Sequence, residues 1–337
     1  MSIRDKLISS PLGFGSAPLG NMLRNIPEAE AAATVDAAWQ QGIRYFDTAP
    51  LYGHGLSEMR IGRVLAGRDR GDFILSTKVG RLLYPCALGE EASGIYLATP
   101  QLRVRFDYSR DGVLRSFEAS LARLGLDRLD ILYVHDVEPA THGSSDAYEA
   151  RWSELVGEGG WRALDDLRAC GAVAAIGLGV NEASPCERML AELDPDVFLL
   201  AGRYTLLEQT PVHGLLTDCI RRGVGVVIGG PFNSGVLAHR GGSYNYAMPT
   251  SEVLARVERL SDVCDRFGVS LRAAALQFPL AHPAVVSVIA GGQTAAEVCD
   301  NAARIADAVP SWFWAALKDE RLIDPAAPTP GSAATAC

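Results

Sequence analysis

Four residues have the types and spacing to do chemistry together: Asp47, Tyr52, Lys78 and His135. Asp47 ends a short apolar, aromatic run from Ile43; Pro50 breaks that run, and Tyr52 sits on the loop just beyond. Lys78 and His135 close two later apolar runs, Phe73–Lys78 and Ile131–His135, in the same way. A free phenol has a pKa near ~10 and is a poor base at neutral pH. An ammonium close by favours its phenolate, and a carboxylate paired with that ammonium fixes its position. A neutral imidazole can hydrogen-bond a substrate oxygen and orient it. The set suits proton transfer to or from an oxygen while a hydride leaves or joins the adjacent carbon. Singly, each residue has a plainer use: a turn cap for Asp47, an amphipathic loop residue for Tyr52, a solvated strand end for Lys78, a core histidine for His135. Three successive strands ending in Asp, Lys and His make the joint reading the stronger one.

The elements that must position these residues alternate regularly. Strands are expected at Leu12–Leu19, Ile43–Asp47, Phe73–Lys78, Ile131–His135, Ala172–Val180, Val197–Ala201, Val224–Ile228 and Val285–Ile289. Amphipathic helical stretches separate them, among them Pro27–Gln41, Ser57–Leu65 with Ser57 as its cap, Ser109–Leu124 and Ala295–Ala308. Continuous Val/Ile/Leu strands are covered on both faces, as in parallel sheets. The pattern predicts a (β/α)8 TIM barrel, one domain over residues 1–323, followed by a flexible, Pro- and Ala-rich tail over 324–337. Three insertions, Val79–Tyr108, Asp136–Gly160 and Gly230–Thr250, follow strands on the face where barrels build their sites.

The totals exclude other classes. A net charge of −9, spread rather than blocked, argues against nucleic acid or an anionic membrane as partner. No stretch approaches the ~18 apolar residues of a membrane span and no apolar leader opens the chain, so the cytoplasm is expected. Seven scattered cysteines without a Cys-x-x-Cys, and histidines without ligand spacing, give no metal site.

The stretch Gly42–Gly53, then Ser57-Glu58, Leu75–Lys78 and the Leu-Gly-Leu-Asp-x-Leu-Asp-Ile-Leu-Tyr-Val-His run ending at His135, resembles the aldo-keto reductases over about residues 10–310. The resemblance implies a (β/α)8 barrel, a nicotinamide cofactor and a catalytic tetrad of Asp47, Tyr52, Lys78 and His135, with Tyr52 as acid/base. Gly177-Leu-Gly179 and Gly13-Phe-Gly15 lack the third small residue of a Rossmann fingerprint and read as tight strand-end turns. The resemblance instead implies a cofactor site at the barrel mouth. Asn181 would hold the nicotinamide carboxamide, although Val180 stands where the family often has serine. Tyr204 and Gln209 lie past the sixth strand, Gln209 as a weaker candidate for the same task. Pro231, Phe232, Asn233, Ser234 and Gly235 correspond to the loop over the pyrophosphate, and Gly291, Gln293, Thr294, Glu297 and Asn301 to the adenosine-phosphate segment. Gln293 and the acidic Glu297 stand where NADP-preferring relatives place bases, with none before Arg304, so NAD is expected to be preferred and NADP possible.

Within the family, Phe106–Gly112, Val134-His-Asp136, Leu199–Gln209 and Gly229–Gly235 resemble the branch of bacterial aldose 1-dehydrogenases and pyridoxal 4-dehydrogenase. The implied reaction is oxidation of the hemiacetal carbon of a small aldose (L-fucose, D-threo-aldose or L-galactose type) to its lactone. Pyridoxal is the alternative substrate, and a non-catalytic nucleotide-sensing subunit the alternative class. Pocket residues are expected from Leu19–Met22, Leu51, His54, Asp136 and the Val79–Tyr108 insertion, where Tyr84, Arg81, Arg103 and Arg105 could bind hydroxyls or tie down the loop.

Overall fold

A computed structural model describes residues 2–331 apart from 93 and 240. Its core is a closed barrel of parallel strands, β1 (Leu12–Gly15), β2 (Tyr45–Asp47), β3 (Ile74–Val79), β4 (Ile131–His135), β5 (Ala175–Val180), β6 (Val197–Ala201), β7 (Gly225–Gly229) and β8 (Val285–Gly291), with β1 closing on β8. Each strand is too apolar to face water on either side, and helices such as Glu28–Gln40, Arg110–Leu124 and Ala295–Ile305 cover the outside. The expected barrel is therefore the observed one.

Side chains alternate along each strand. Tyr45, Ile74, Ile131, Tyr133, Ala175, Val197, Leu199, Val227, Val286 and Ile289 point inward and pack as a separate cluster inside the barrel. Leu7 joins that cluster from an N-terminal helix, Ile3–Ile8, which had no place among the expected elements. Its signal was readable: Ser2 and Asp5 form a reciprocal capping box. Burying Leu7 there stabilises the closed end by about 1.5–3 kcal/mol.

Other boundaries move for local reasons. The first strand stops at Gly15 and continues as a 3-10 turn, Ala17–Gly20. The helix expected to start at a Ser57 cap runs Leu56–Leu65 from Gly55, because the Ser57 hydroxyl is spent on Ser16. β5 starts at Ala175 rather than Ala172. The Val79–Tyr108 insertion contains an antiparallel hairpin, Arg81–Pro85 against Leu102–Phe106. The next insertion carries two helices, Pro139–His142 and Ser145–Val156. The segment expected to fray from Asp324 begins packed: Asp324 contacts His213 at 2.6 Å and Ala327 is fully buried, while residues 332–337 lie outside the described residues. Among the described residues no helix is long and apolar enough to cross a membrane.

Candidate active site

The inward parity of three adjacent strands builds the site in two layers. Tyr45, Ser76 and Tyr133 form the lower layer: the Tyr45 hydroxyl lies 3.2 Å from Ser76 Oγ and 3.1 Å from the Tyr133 hydroxyl. Two residues on, the same faces deliver Asp47, Lys78 and His135 to the C-terminal mouth. Lys78 Nζ donates to Asp47 Oδ2 at 2.7 Å and to the Thr48 carbonyl at 2.9 Å, and both charged side chains are buried. Ser76 Oγ donates to the other Asp47 oxygen at 2.6 Å, so the carboxylate is held on both sides. Gly179 leaves room for this lysine, since a Cβ there would sit only 3.3 Å from both Lys78 Cε and Tyr133 Cβ.

Tyr52 arrives from the loop after β2. Lys78 Nζ lies 4.7 Å from its ring centroid, and the His135 ring stands 5.8 Å away and nearly perpendicular. The loop is pressed against the turn after β1 so closely that a Cβ on Gly53 would fall 2.4 Å from the Gly20 carbonyl oxygen. Burial, and after it the Asp47 charge, raise the Tyr52 hydroxyl well above the ordinary phenol value. The expected pull of Lys78 toward the phenolate does not prevail, because the ammonium is committed to Asp47. Burial, then Arg81 and Lys78, push His135 well below the ordinary histidine value, so its ring is neutral. His135 Nδ1 is buried without a partner among the described residues, and the backbone carbonyl of His135 accepts from the Tyr108 hydroxyl at 2.7 Å.

The expected pocket residues divide. Asp136 is beside the site: its Oδ2 accepts from Arg81 at 2.5 Å and lies 3.4 Å from His135 Nε2. Its left-handed backbone, φ +48°, turns the carboxylate back over the mouth. Arg81 also covers the Phe106 ring, so it ties the hairpin to the site. Met22 is brought close through an antiparallel bridge to Tyr96, whose ring lies 6.4 Å from that of Tyr52. His54 is not free for a substrate; it is buried, with Nδ1 2.5 Å from the Leu102 carbonyl, and anchors the Tyr52 loop to the hairpin. Tyr84 sits opposite Arg103 in the hairpin with Arg105 5.8 Å from its ring, so these three hold the hairpin rather than line the tetrad.

The coenzyme candidates divide as well. Asn181 is at the mouth, donating from Nδ2 to Asp136 Oδ1 at 3.1 Å and to Glu138 Oε1 at 2.9 Å. Tyr204 is not: it is fully buried against Phe278 and His282, in the helical shell. Gln209 bonds the Thr205 carbonyl and takes the Asp324 N–H at 3.3 Å, so it secures the C-terminal segment instead. Pro231 opens a turn in which Asn233, Ser234 and Gly235 are all left-handed. Asn233 donates to the Gly202 carbonyl and keeps a buried Oδ1 without a partner; Ser234 accepts from Ser243 and the Tyr246 N–H. Thr294 caps the helix Ala295–Ile305, Glu297 accepts from the Gln293 N–H at 2.7 Å, and Asn301 bonds the Gly291 carbonyl and Arg272. A base does reach this segment, from the far end of the sequence: Arg24 Nε lies 3.3 Å from Gln293 Oε1, while its charge is paired with Glu30 at 2.7 Å. Glu138, Tyr96 and Arg24 are the residues the sequence did not single out.

Residues 11–319 match the aldo/keto reductase family. The chain belongs to it. It is 42% identical to pyridoxal 4-dehydrogenase of Microbacterium luteolum, covering 95% of this chain and 96% of the relative. It is 40% identical to D-threo-aldose 1-dehydrogenase of a Pseudomonas species, covering 95% of each. Among solved structures, an aldo-keto reductase of Bacillus halodurans in its holo form shares the fold, with a TM-score of 0.71 at 24% identity over 93% of this chain and 92% of that one. This member of the family is an oxidoreductase acting on CH–OH groups.

Proposed function

We propose that this aldo-keto reductase oxidises the hemiacetal carbon of a small aldose, of the L-fucose, D-threo-aldose or L-galactose kind, to its lactone, with NAD preferred. The observation that carries the reading is the buried Asp47–Lys78 pair, 2.7 Å apart, beneath the Tyr52 ring and opposite the neutral His135. The mouth fits a nicotinamide dinucleotide: Asn181 stands beside the tetrad, the Asn233 and Gly235 N–H groups close the left-handed turn on Gly230 and Phe232 and leave the Ser234 N–H for a phosphate, and Asn233 Oδ1 is buried with no partner among the described residues. Bound NAD supplies the acceptor for the hydride that leaves the substrate carbon. His135, uncharged, holds the substrate oxygen, and Tyr52 as phenolate takes the hydroxyl proton. Lys78, itself fixed by Asp47 and Thr48, keeps the phenol in place and supplies positive potential. Because burial and Asp47 keep the Tyr52 proton on in the resting site, oxidation should speed up as pH rises.

NAD preference rests on local charge. Glu297 and Glu30 outnumber Arg24 beside Gln293, a balance that repels a 2′-phosphate and suits a ribose hydroxyl. A kcat/KM at least about tenfold higher with NADP than with NAD would overturn this part.

Pyridoxal, which also forms a small cyclic hemiacetal, is the second reading. The tilted Tyr52–Tyr96 pair offers an aromatic wall for a pyridine ring, and one of the two similar relatives above is a pyridoxal 4-dehydrogenase. Absorbance of reduced coenzyme, followed with L-fucose, L-galactose, D-arabinose and pyridoxal in turn, separates the readings. Tyr52→Phe should abolish turnover, a loss of about 10²–10⁴, while coenzyme still binds; surviving activity would refute the assignment.

A further inference from the structure

Glu138 is a buried acid that the tetrad does not use. It follows β4 by three residues and is only 2% exposed. Four donors converge on it. Oε1 accepts from Asn181 Nδ2 at 2.9 Å and Thr141 Oγ1 at 3.1 Å; Oε2 accepts from the Asn181 N–H at 2.6 Å and the Glu182 N–H at 3.1 Å. Burial and the nearby Asp136 charge raise it to about 7, so keeping an acid here works against the fold unless something is gained.

What is gained is legible in the amide of Asn181. An asparagine side chain can present either its NH2 or its carbonyl to a ligand, and a half-turn exchanges them. Here both Nδ2 hydrogens are taken by carboxylates, Glu138 Oε1 and Asp136 Oδ1. With Glu138 ionised, the form its four donors fit, the reversed amide would set its carbonyl oxygen against two carboxylate oxygens, an arrangement with no donor between them. Asn181 Oδ1 takes no hydrogen bond among the described residues and is the one polar atom of this side chain left for a ligand.

We propose that Glu138, together with Asp136, is a positioning residue that locks the Asn181 amide, so that the protein meets the coenzyme's carboxamide with an acceptor only and thereby selects a head group carrying an N–H donor. This rests on the reading that Asn181 contacts the nicotinamide carboxamide. Glu138 also holds the Asn181 backbone, so one acid fixes both the main chain and the rotamer of the contact residue.

The test compares equilibrium binding of NAD and of its 3-acetylpyridine analogue, whose acetyl group has a carbonyl but no N–H, by isothermal titration calorimetry at pH 8.5, where Glu138 is ionised. The wild-type protein should bind NAD more tightly. In Glu138→Gln the Asn181 and Glu182 N–H groups hold the new amide's oxygen, so its NH2 faces Asn181 and favours the reversed amide, while Asp136 Oδ1 still favours the original; the ratio of the two Kd values should move toward the analogue by about threefold, the worth of one hydrogen bond. Glu138→Ala, which frees the amide without reversing it, should move the ratio in the same direction by less, and serves if the glutamine variant loses the wild-type circular dichroism. Asn181→Ala separates the two layers of the argument. A ratio that shifts in Asn181→Ala but stays at the wild-type value in both folded Glu138 variants overturns the role of Glu138 alone. A ratio unchanged in Asn181→Ala overturns the contact itself and the proposal with it.

Discussion

Replacing Asp47 by asparagine tests the electrostatic core of the site, because it should lower stability while letting Tyr52 lose its proton more easily. The substitution keeps the shape and one acceptor for Lys78, and the Thr48 carbonyl 2.9 Å away remains, so the ammonium stays bonded. It loses its counter-ion, however, in a place where both partners are almost fully buried. Breaking such a pair costs about 3–5 kcal/mol, and the retained acceptors put the expected loss near ~3 kcal/mol, measurable by urea denaturation. The effect on Tyr52 has the other sign. Asp47 is the largest charge raising the phenol, and the uncompensated Lys78 would lie 4.7 Å from its ring. One unit charge about 5 Å away at an effective dielectric of ~20 is worth ~3 kcal/mol, or roughly 2 pH units. The ascending limb of kcat/KM for oxidation, measured at saturating NAD from pH 6 to 10.5, should therefore shift to lower pH by about 1–2 units, even though the maximal rate falls. A limb that stays put or moves toward higher pH, with stability intact, would refute the view that the Asp47 charge keeps the proton on Tyr52.

Three further outcomes follow from particular contacts. Gly53→Ala places a methyl 2.4 Å from the Gly20 carbonyl at a backbone of φ +61°, so it should displace Tyr52 and lower kcat/KM at least about tenfold with little change in coenzyme Kd. Glu30→Gln releases Arg24 beside Gln293 and should raise the NADP-to-NAD ratio of kcat/KM by about threefold in steady-state assays; no change would mean that Arg24 does not face the ribose. Burial and two cations hold the His135 ring neutral, so its histidine NMR signal should show no protonation down to pH 5.5, well below the range where an exposed histidine titrates.

The architecture was legible because parallel strands, buried on both faces, read as unbroken apolar runs; the expected bounds of β4 and β6 coincide with the observed ones. The meeting of Asp47, Lys78 and His135 at the mouth was legible for the same reason, since these strand-end residues break those runs. The hairpin was missed although Leu102-Arg-Val-Arg-Phe106 alternates with a period of two, because a long insertion after a strand reads first as loop. What could not be read is pairing across distance. Arg24 meets Gln293, 269 positions later, and Glu138 meets Asn181, 43 positions later; nothing local to either partner announces the other. Tyr204 and Gln209 failed differently. Each lies close in sequence to the mouth, but the chain turns them into the helical shell and toward Asp324.

The division between strands and loops has a consequence for specificity. Asp47, Lys78 and His135 stand on rigid, inward-facing strand positions above a second layer of Tyr45, Ser76 and Tyr133, so their mutual distances are set by the barrel itself. Arg81, Tyr96, Asp136, Glu138 and Asn181 come instead from the segments between barrel strands, where the side chains of Arg81, Asp136, Glu138 and Asn181 hold one another and only the Asp136 backbone is bonded to the barrel, at Gly179. The buried ion pair and the residues around the mouth thus rest on different supports, with Tyr52, on the loop after β2, between the two. Substitutions at these loop positions should therefore alter the mouth without disturbing the buried ion pair. Two relatives about equally similar to this chain, one acting on pyridoxal and one on D-threo-aldoses, are what such a division would allow. The Arg81–Asp136 bridge, joining the hairpin to the residue beside His135, is then the place where a change of substrate is to be sought first.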